Sequence, residues 1–219
     1  LGEVLNLVLP GTSTIPASDN AKLRKAREAG MYMVEMAKAG RKPSDLITKE
    51  VLMNAIMFDM AVAGSTNAVL HILSYAYELG IKLTLEDFEK YAEEIPCINA
   101  VVPSGPYTVV DFHYAGGVMN VMKMLESKLY TNVPSMYGNT WADMLSKVKA
   151  QENKVIHSLE KPLFHEPGLK ILRGNLSPNG AIVRPTAVYD EVKYMKGKAK
   201  VFEGDRPAFE AIMAGEIVP

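Results

Sequence analysis

Gly64-Ser65-Thr66-Asn67, followed at once by Ala68-Val69-Leu70-His71, decides how this chain folds. Gly64 permits backbone angles that other residues avoid. Ser65, Thr66 and Asn67 are residues that cap helix N-termini. The tetrad therefore predicts that one helix stops and another starts within four residues. The first N–H groups of the second helix converge on a point that attracts anions, because a helix N-terminus carries about half a positive charge. A plain helix–helix turn and a small anion-binding nest both account for these residues.

The flanks support a helical reading. Upstream, Val51, Leu52, Ala55, Ile56 and Met60 form an apolar helix that Thr48 caps. Downstream, residues 68–79 continue as a helix that Gly80 stops. Further upstream, residues 22–39 have helical periodicity with Leu23, Ala26, Met33 and Ala37 inward. Gly40 ends that helix and Pro43 is expected to prevent its resumption. Thr84, with Asp87 three residues on, forms a capping arrangement for residues 85–93. Residues 118–125 and 141–148 read as short helices, and 109–112 as extended chain leading into Ala115-Gly116-Gly117.

After about residue 155 the pattern changes. Residues 169–172, 181–183 and 200–202 are short strand-like runs, separated by Ser177-Pro178-Asn179-Gly180 and Lys196-Gly197. Residues 205–214 are a final helix. The fold class expected is α/β, seen in this segment as α+β. Residues 1–155 are mainly helical, and residues 156–219 begin a β-rich domain. The chain lacks an initiator Met, and both ends fall within unfinished patterns, so an excised or processed piece of a longer protein is expected.

Composition bounds the function. The 219 residues are 48% hydrophobic and 22% charged, with a net charge of −1. That balance predicts neither general nucleic-acid affinity nor attraction to an anionic membrane. No apolar run approaches the roughly 20 residues of a spanning helix. Cys97 is the one cysteine, so no internal disulfide can form, and a cytoplasmic location is expected. One cysteine also cannot hold an iron–sulfur cluster or a cysteine zinc site.

Several residues carry possible chemistry. His71 lies four residues after Asn67, on the same helix face, where it either orients an anion or packs as a core histidine. Asp59 interrupts an apolar run and must be paired or hydrogen-bonded, so it is expected to brace the tetrad. Asp111 and His113 flank Phe112; in extended chain both would face one side, as an acid–base pair or as a cap for the following helix. Arg173 and Arg184 are expected in exposed loops, as anion contacts or simply solvated. Cys97 follows a proline in an apolar segment and reads as a buried thiol.

The motifs together resemble a known family. Pro10-Gly11-Thr12-Ser13-Thr14-Ile15-Pro16-Ala17 is similar to the L-P-G-x-x-x-I-P-A segment of the dihydroxy-acid and phosphogluconate dehydratases. Residues 63–71 resemble the family's G-G-S-T-N-x-V-L-H motif. Pro103-Ser104-Gly105, residues 111–117 and residues 172–180 follow in the family's order. Two positions depart: Ala63 replaces the first glycine of the tetrad motif and disfavours a positive φ there. Val183-Arg184-Pro185-Thr186-Ala187 stands where relatives often read V-K-x-A-G.

The resemblance implies a hydro-lyase that converts 2,3-dihydroxy acids to 2-keto acids in branched-chain amino-acid synthesis. An iron–sulfur cluster and Mg²⁺ are implied for the full-length parent, which is expected to be a homodimer. The implied architecture is an N-terminal α/β domain followed by a β-barrel-like domain. The family's cluster cysteines, catalytic serine and Mg²⁺ ligands lie outside the matching region, so no catalytic or metal-ligating residue is expected here. The expected contribution is a wall for the substrate: Thr12, Ser13, Ser65, Thr66, Asn67 and His71, supported by Asp59, Asp111 and His113. Expected partners are a small dihydroxy acid and the rest of the parent chain, without nucleic acid or membrane. The alternatives are a sugar-acid dehydratase, suggested by Tyr107, Phe112 and Tyr114, or a non-catalytic fragment that binds an anion or a partner.

Overall fold

The computed structural model describes residues 1–217, in nine α-helices and one two-stranded sheet. Contacts divide the chain into a larger unit, Leu1–Ala187, and a smaller one beginning at Val188. The secondary structure is mixed, as the α+β reading expects.

Helix α3 (Lys49–Ala61) organises the larger unit. From Val51 to Ala61 every residue except Met53 is buried. An all-round apolar helix needs cover on every side. It packs against α4 (Thr66–Glu78), α5 (Leu85–Glu94) and α7 (Gly117–Met124). Val51, Leu52, Ile56 and Met60 join Ile72, Phe88 and Val121 in one apolar core. Two asparagines within that core bind backbone instead of water. Asn54 donates to the Tyr130 carbonyl at 2.8 Å and accepts its N–H at 2.9 Å. Asn120 does the same with Gln151, at 2.8 and 3.0 Å. Each buried amide is thus paired, as burial requires.

Helix α1 (Asn20–Lys38) departs from expectation. Only Met36 is buried; Leu23 is 73% and Met33 63% exposed, and Ala26 and Ala37 are exposed too. The periodicity makes the helix, but the described residues cover only its C-terminal part, where Met36 packs with Leu9, Leu46 and Met136. Pro43 does not stop the chain from coiling. It starts the short α2 (Pro43–Leu46), because its fixed φ suits a first helical position.

Residues 109–112 are helical rather than extended, within α6 (Val109–Tyr114). Thr108 and Asp111 form a capping box, which overrides the strand preference of Val109 and Val110. Thr84 with Asp87 caps α5, and Thr140 with Asp143 caps α8 (Trp141–Leu145), by the same device. Strand β1 (Lys170–Leu172) pairs antiparallel with β2 (Ala181–Val183), Ile171 opposite Ile182. Arg173 fastens β1 to α5, donating to Glu89 at 2.9 Å and Glu86 at 3.0 Å. In the smaller unit, residues 200–202 form no strand, since no described segment pairs with them. Helix α9 (Asp205–Met213) lies there, and Lys200 pairs with Glu216 at 2.9 Å.

Candidate functional site

The turn between α3 and α4 is built around Asp59. Ala61 is the last helical residue, Val62 the cap, and Ala63 takes φ +46°. The Gly64 N–H then reaches back to the Asp59 carbonyl at 3.0 Å, closing a Schellman-type end. The positive φ at Ala63 runs against the sequence expectation. The closed helix end holds it there at a cost of about 1–2 kcal/mol for a residue bearing a Cβ. Gly64 is needed for space: a Cβ would lie 1.8 Å from Asp59 Oδ1. The carboxylate sits beneath the tetrad and accepts the Ser65 N–H. Ser65 Oγ in turn accepts the Asn67 N–H at 3.2 Å and caps α4.

Asp59 is 2% exposed, and its Oδ2 has no hydrogen-bond partner. Burial pushes its carboxyl up to about 7, against the opposing pull of Arg184 and the Ser65 N–H. The folded chain therefore holds this proton from about pH 4 to about pH 7, where the unfolded chain releases it. The sign follows: Asp59 favours folding most below pH 4, and that contribution is lost as pH rises through 7, by up to ~4 kcal/mol. Thermal unfolding at pH 5 and pH 8 tests this. Asp59→Asn, which imitates the neutral acid, is expected to flatten the fall in Tm across that interval. An unchanged slope would remove Asp59 as its source.

The loop 10–16 is ordered by a residue that the sequence reading missed. Glu3, 1% exposed, accepts N–H groups from Gly11 at 2.7 Å and Ser13 at 2.8 Å, and the Ser13 hydroxyl as well. Its cue was faint: one acid in an apolar start. Thr12 is turned inward, its hydroxyl donating to the Leu9 carbonyl at 2.5 Å, while Lys22 donates to the Thr12 carbonyl at 3.1 Å. Thr14 Oγ1 lies 2.9 Å from His113 Nδ1.

Ser13 and Thr14, Gly64 and Ser65, Val101 to Pro103, Phe112 and Arg184 line one cavity of about 390 Å³. It draws together the stretch 10–16, the tetrad, the Pro103 turn, α6 and the end of β2. Arg184 is half-buried, not exposed, and its Nη1 donates to Ser104 Oγ at 3.2 Å. Other candidates lie elsewhere. Asn67 and His71 are exposed on α4 and do not line the cavity, nor does Thr66. Asp111 is an exposed cap, held below the usual carboxylate range first by the Thr108 N–H and then by its hydroxyl. Being helical, the 111–113 stretch separates its two members: Asp111 binds Thr108 and His113 binds Thr14.

Among the described residues, no group of three or more His, Cys, Asp or Glu is arranged to hold a metal ion. Cys97 is fully buried, donates to the Asn99 carbonyl at 3.2 Å, and has its thiol pushed up to about 12 by burial. It does not fit a cluster ligand, which must be a thiolate.

Residues 1–144 match the model of the dihydroxy-acid/6-phosphogluconate dehydratase N-terminal domain, and residues 154–219 that of the C-terminal domain of the same family. The chain belongs to this family. Relatives named dihydroxy-acid dehydratase include those of Caldicellulosiruptor bescii and Methanosarcina barkeri, each 40% identical over 99% of this chain. The one from Ignicoccus hospitalis is 40% identical over the whole chain. In each case the match covers 40% of the relative, so the chain spans about two-fifths of the length of these family members. No described helix is long and apolar enough to cross a membrane.

Proposed function

We propose that this chain is a central part of a hydro-lyase that dehydrates 2,3-dihydroxy carboxylic acids to 2-keto acids, and that it forms one wall of the substrate site. The observation that carries this reading is the shared cavity: motifs separated by up to about 170 residues converge on it. Ser13, Thr14 and Ser65 offer hydroxyls to the substrate's oxygens. Phe58, Val62, Val101 and Phe112 exclude water and accept a short aliphatic chain, which favours that substrate over a polyol acid. Asp59 holds the tetrad in place, and His113 orients the Thr14 hydroxyl. Thr12 braces the 10–16 loop from within, Thr66, Asn67 and His71 lie on α4 away from the cavity, and Asp111 fixes α6 behind the wall.

In this reading residues 1–155 belong to the N-terminal domain and 156–219 begin the C-terminal one. The parent is a cytoplasmic homodimer of branched-chain amino-acid synthesis. It carries an iron–sulfur cluster and Mg²⁺ on donors outside this sequence, and those ions polarise substrate oxygens when bound. The test is formation of a 2-keto acid from a 2,3-dihydroxy acid by the parent enzyme. Thr14→Val, which keeps the shape and deletes the hydroxyl, is expected to lower kcat/KM about tenfold, the effect of roughly one hydrogen bond. Unchanged kinetics would take Thr14 out of the wall, and no keto acid from the wild type would end the reading.

A further inference from the structure

Arg184, just after β2, is the one charged side chain lining the cavity among the described residues. Its Nη1 donates to Ser104 Oγ, but its Nε is buried without an acceptor. Asp59 Oδ2, beneath the tetrad, is buried without a donor. The two groups sense each other's charge, yet no ion pair within 4 Å joins them. Thr186 Oγ1, two residues after Arg184, is also buried and unpartnered. Three of the four buried side-chain atoms without a partner thus belong to this acid, this arginine and its near neighbour. Buried polar atoms are rarely left unpaired, and a donor and an acceptor orphaned together are natural partners for each other.

We propose that Asp59 and Arg184 form a proton-operated latch at the cavity. With the carboxyl protonated the two stay apart, as they do in this structure. When the carboxyl releases its proton to solvent, Oδ2 and the Nε–H join in an ion pair that draws the end of β2 towards the tetrad turn. The closed arrangement satisfies both orphaned atoms and gives an ionised Asp59 the partner that a buried charge needs. Ser104 already holds one end of the guanidinium, which leaves Nε to turn towards Asp59. No other side chain offers Asp59 a charge. Ser13, Thr14, Ser65 and Asn99 at the cavity are neutral, and His113 is engaged with Thr14. His71 on α4, and His165 and Glu166 before Gly168, are exposed. On α3 itself the other ionisable groups, Lys49 and Glu50, lie in the first turn. Because burial raises the Asp59 carboxyl to about 7, the latch is open at pH 5 and closed at pH 8. It regulates the shape of the cavity and stands whether or not that cavity binds a dihydroxy acid.

Thermal unfolding of the parent protein, without substrate, is followed at pH 5 and pH 8 for wild type, Arg184→Gln and Arg184→Lys. Asp59→Asn is measured alone and combined with Arg184→Gln. Glutamine keeps a donor for Ser104 and loses the charge. Arg184→Gln is expected to lower Tm by about 5 °C more at pH 8 than at pH 5. Lysine restores most of that difference, and the difference vanishes in the Asp59→Asn background, where no carboxylate forms. An equal loss at both pH values, or none at either, overturns the proposal. A pH-dependent loss that survives Asp59→Asn belongs to another group and overturns it as well. So does failure of Arg184→Gln to fold at pH 5, where the latch is open and only a structural arginine would be missed.

Discussion

Gly64→Ala is expected to destabilise the larger unit by about 3 kcal/mol and to remove substrate binding in the parent. The added methyl would sit 1.8 Å from Asp59 Oδ1 and 2.6 Å from its Cγ. A surface side chain would swing aside, but this one is enclosed and accepts the Ser65 N–H. Relief requires the carboxylate to leave or the turn to open, and either change moves Ser65 off the cavity wall. Urea unfolding measures the effect as a lower midpoint. The explanation has its own check in a double-mutant cycle. Asp59→Ala removes the obstacle, so the pair should be far less than additive. Additive losses would mean that Gly64 matters for some other reason.

Gly168→Ala is expected to be at least as damaging, because nothing flexible can yield. Its Cβ would meet Ala63 Cα at 2.4 Å, the Met60 carbonyl at 2.5 Å and Ala63 N at 2.6 Å, all backbone. Gly168 also donates its N–H to that carbonyl at 2.8 Å, which ties the chain before β1 to the end of α3. Losing this contact frees the helix end that holds Ala63 at its positive φ. A cooperative melt by circular dichroism should fall well below wild type, or the variant should fail to fold. Gly174→Ala is the control: nothing lies within 4 Å of its Cβ, so its stability should stay within about 0.5 kcal/mol of wild type. If the two variants melted alike, the close approach at Gly168 would not be what holds this helix end.

Local chemistry was legible in the sequence wherever it acts within a few residues. The caps at Thr48, Ser65 and Thr84 act over two or three positions, and the helices they start lie where the residue pattern puts them. The apolar run of α3, interrupted by Asn54 and Asp59, is the kind of helix that a core encloses. Asp59 could be singled out because an acid among apolar residues needs a reason. What was hidden depends on distant chain. Ala63 adopts a positive φ because a helix end closes around it and Gly168, far along the sequence, leaves it room. Glu3 could not be tied to the 10–16 loop without knowing that the chain folds back on itself. Arg173 and Arg184 look equivalent in sequence, yet one is satisfied by two glutamates and the other faces a cavity. The α1 stripe shows the opposite limit: periodicity specifies a helix but not what covers it.

The cavity is made of loops and helix ends drawn from both extremes of the larger unit, from Ser13 to Arg184. No subset of neighbouring elements encloses it. Closing it depends on non-local contacts, which carry the loop-closure entropy of the chain between them. An occupant recognises only the completed unit and none of its partly folded forms. Whatever binds there stabilises α3, the 10–16 loop and β2 as one cooperative body, in proportion to the logarithm of its concentration.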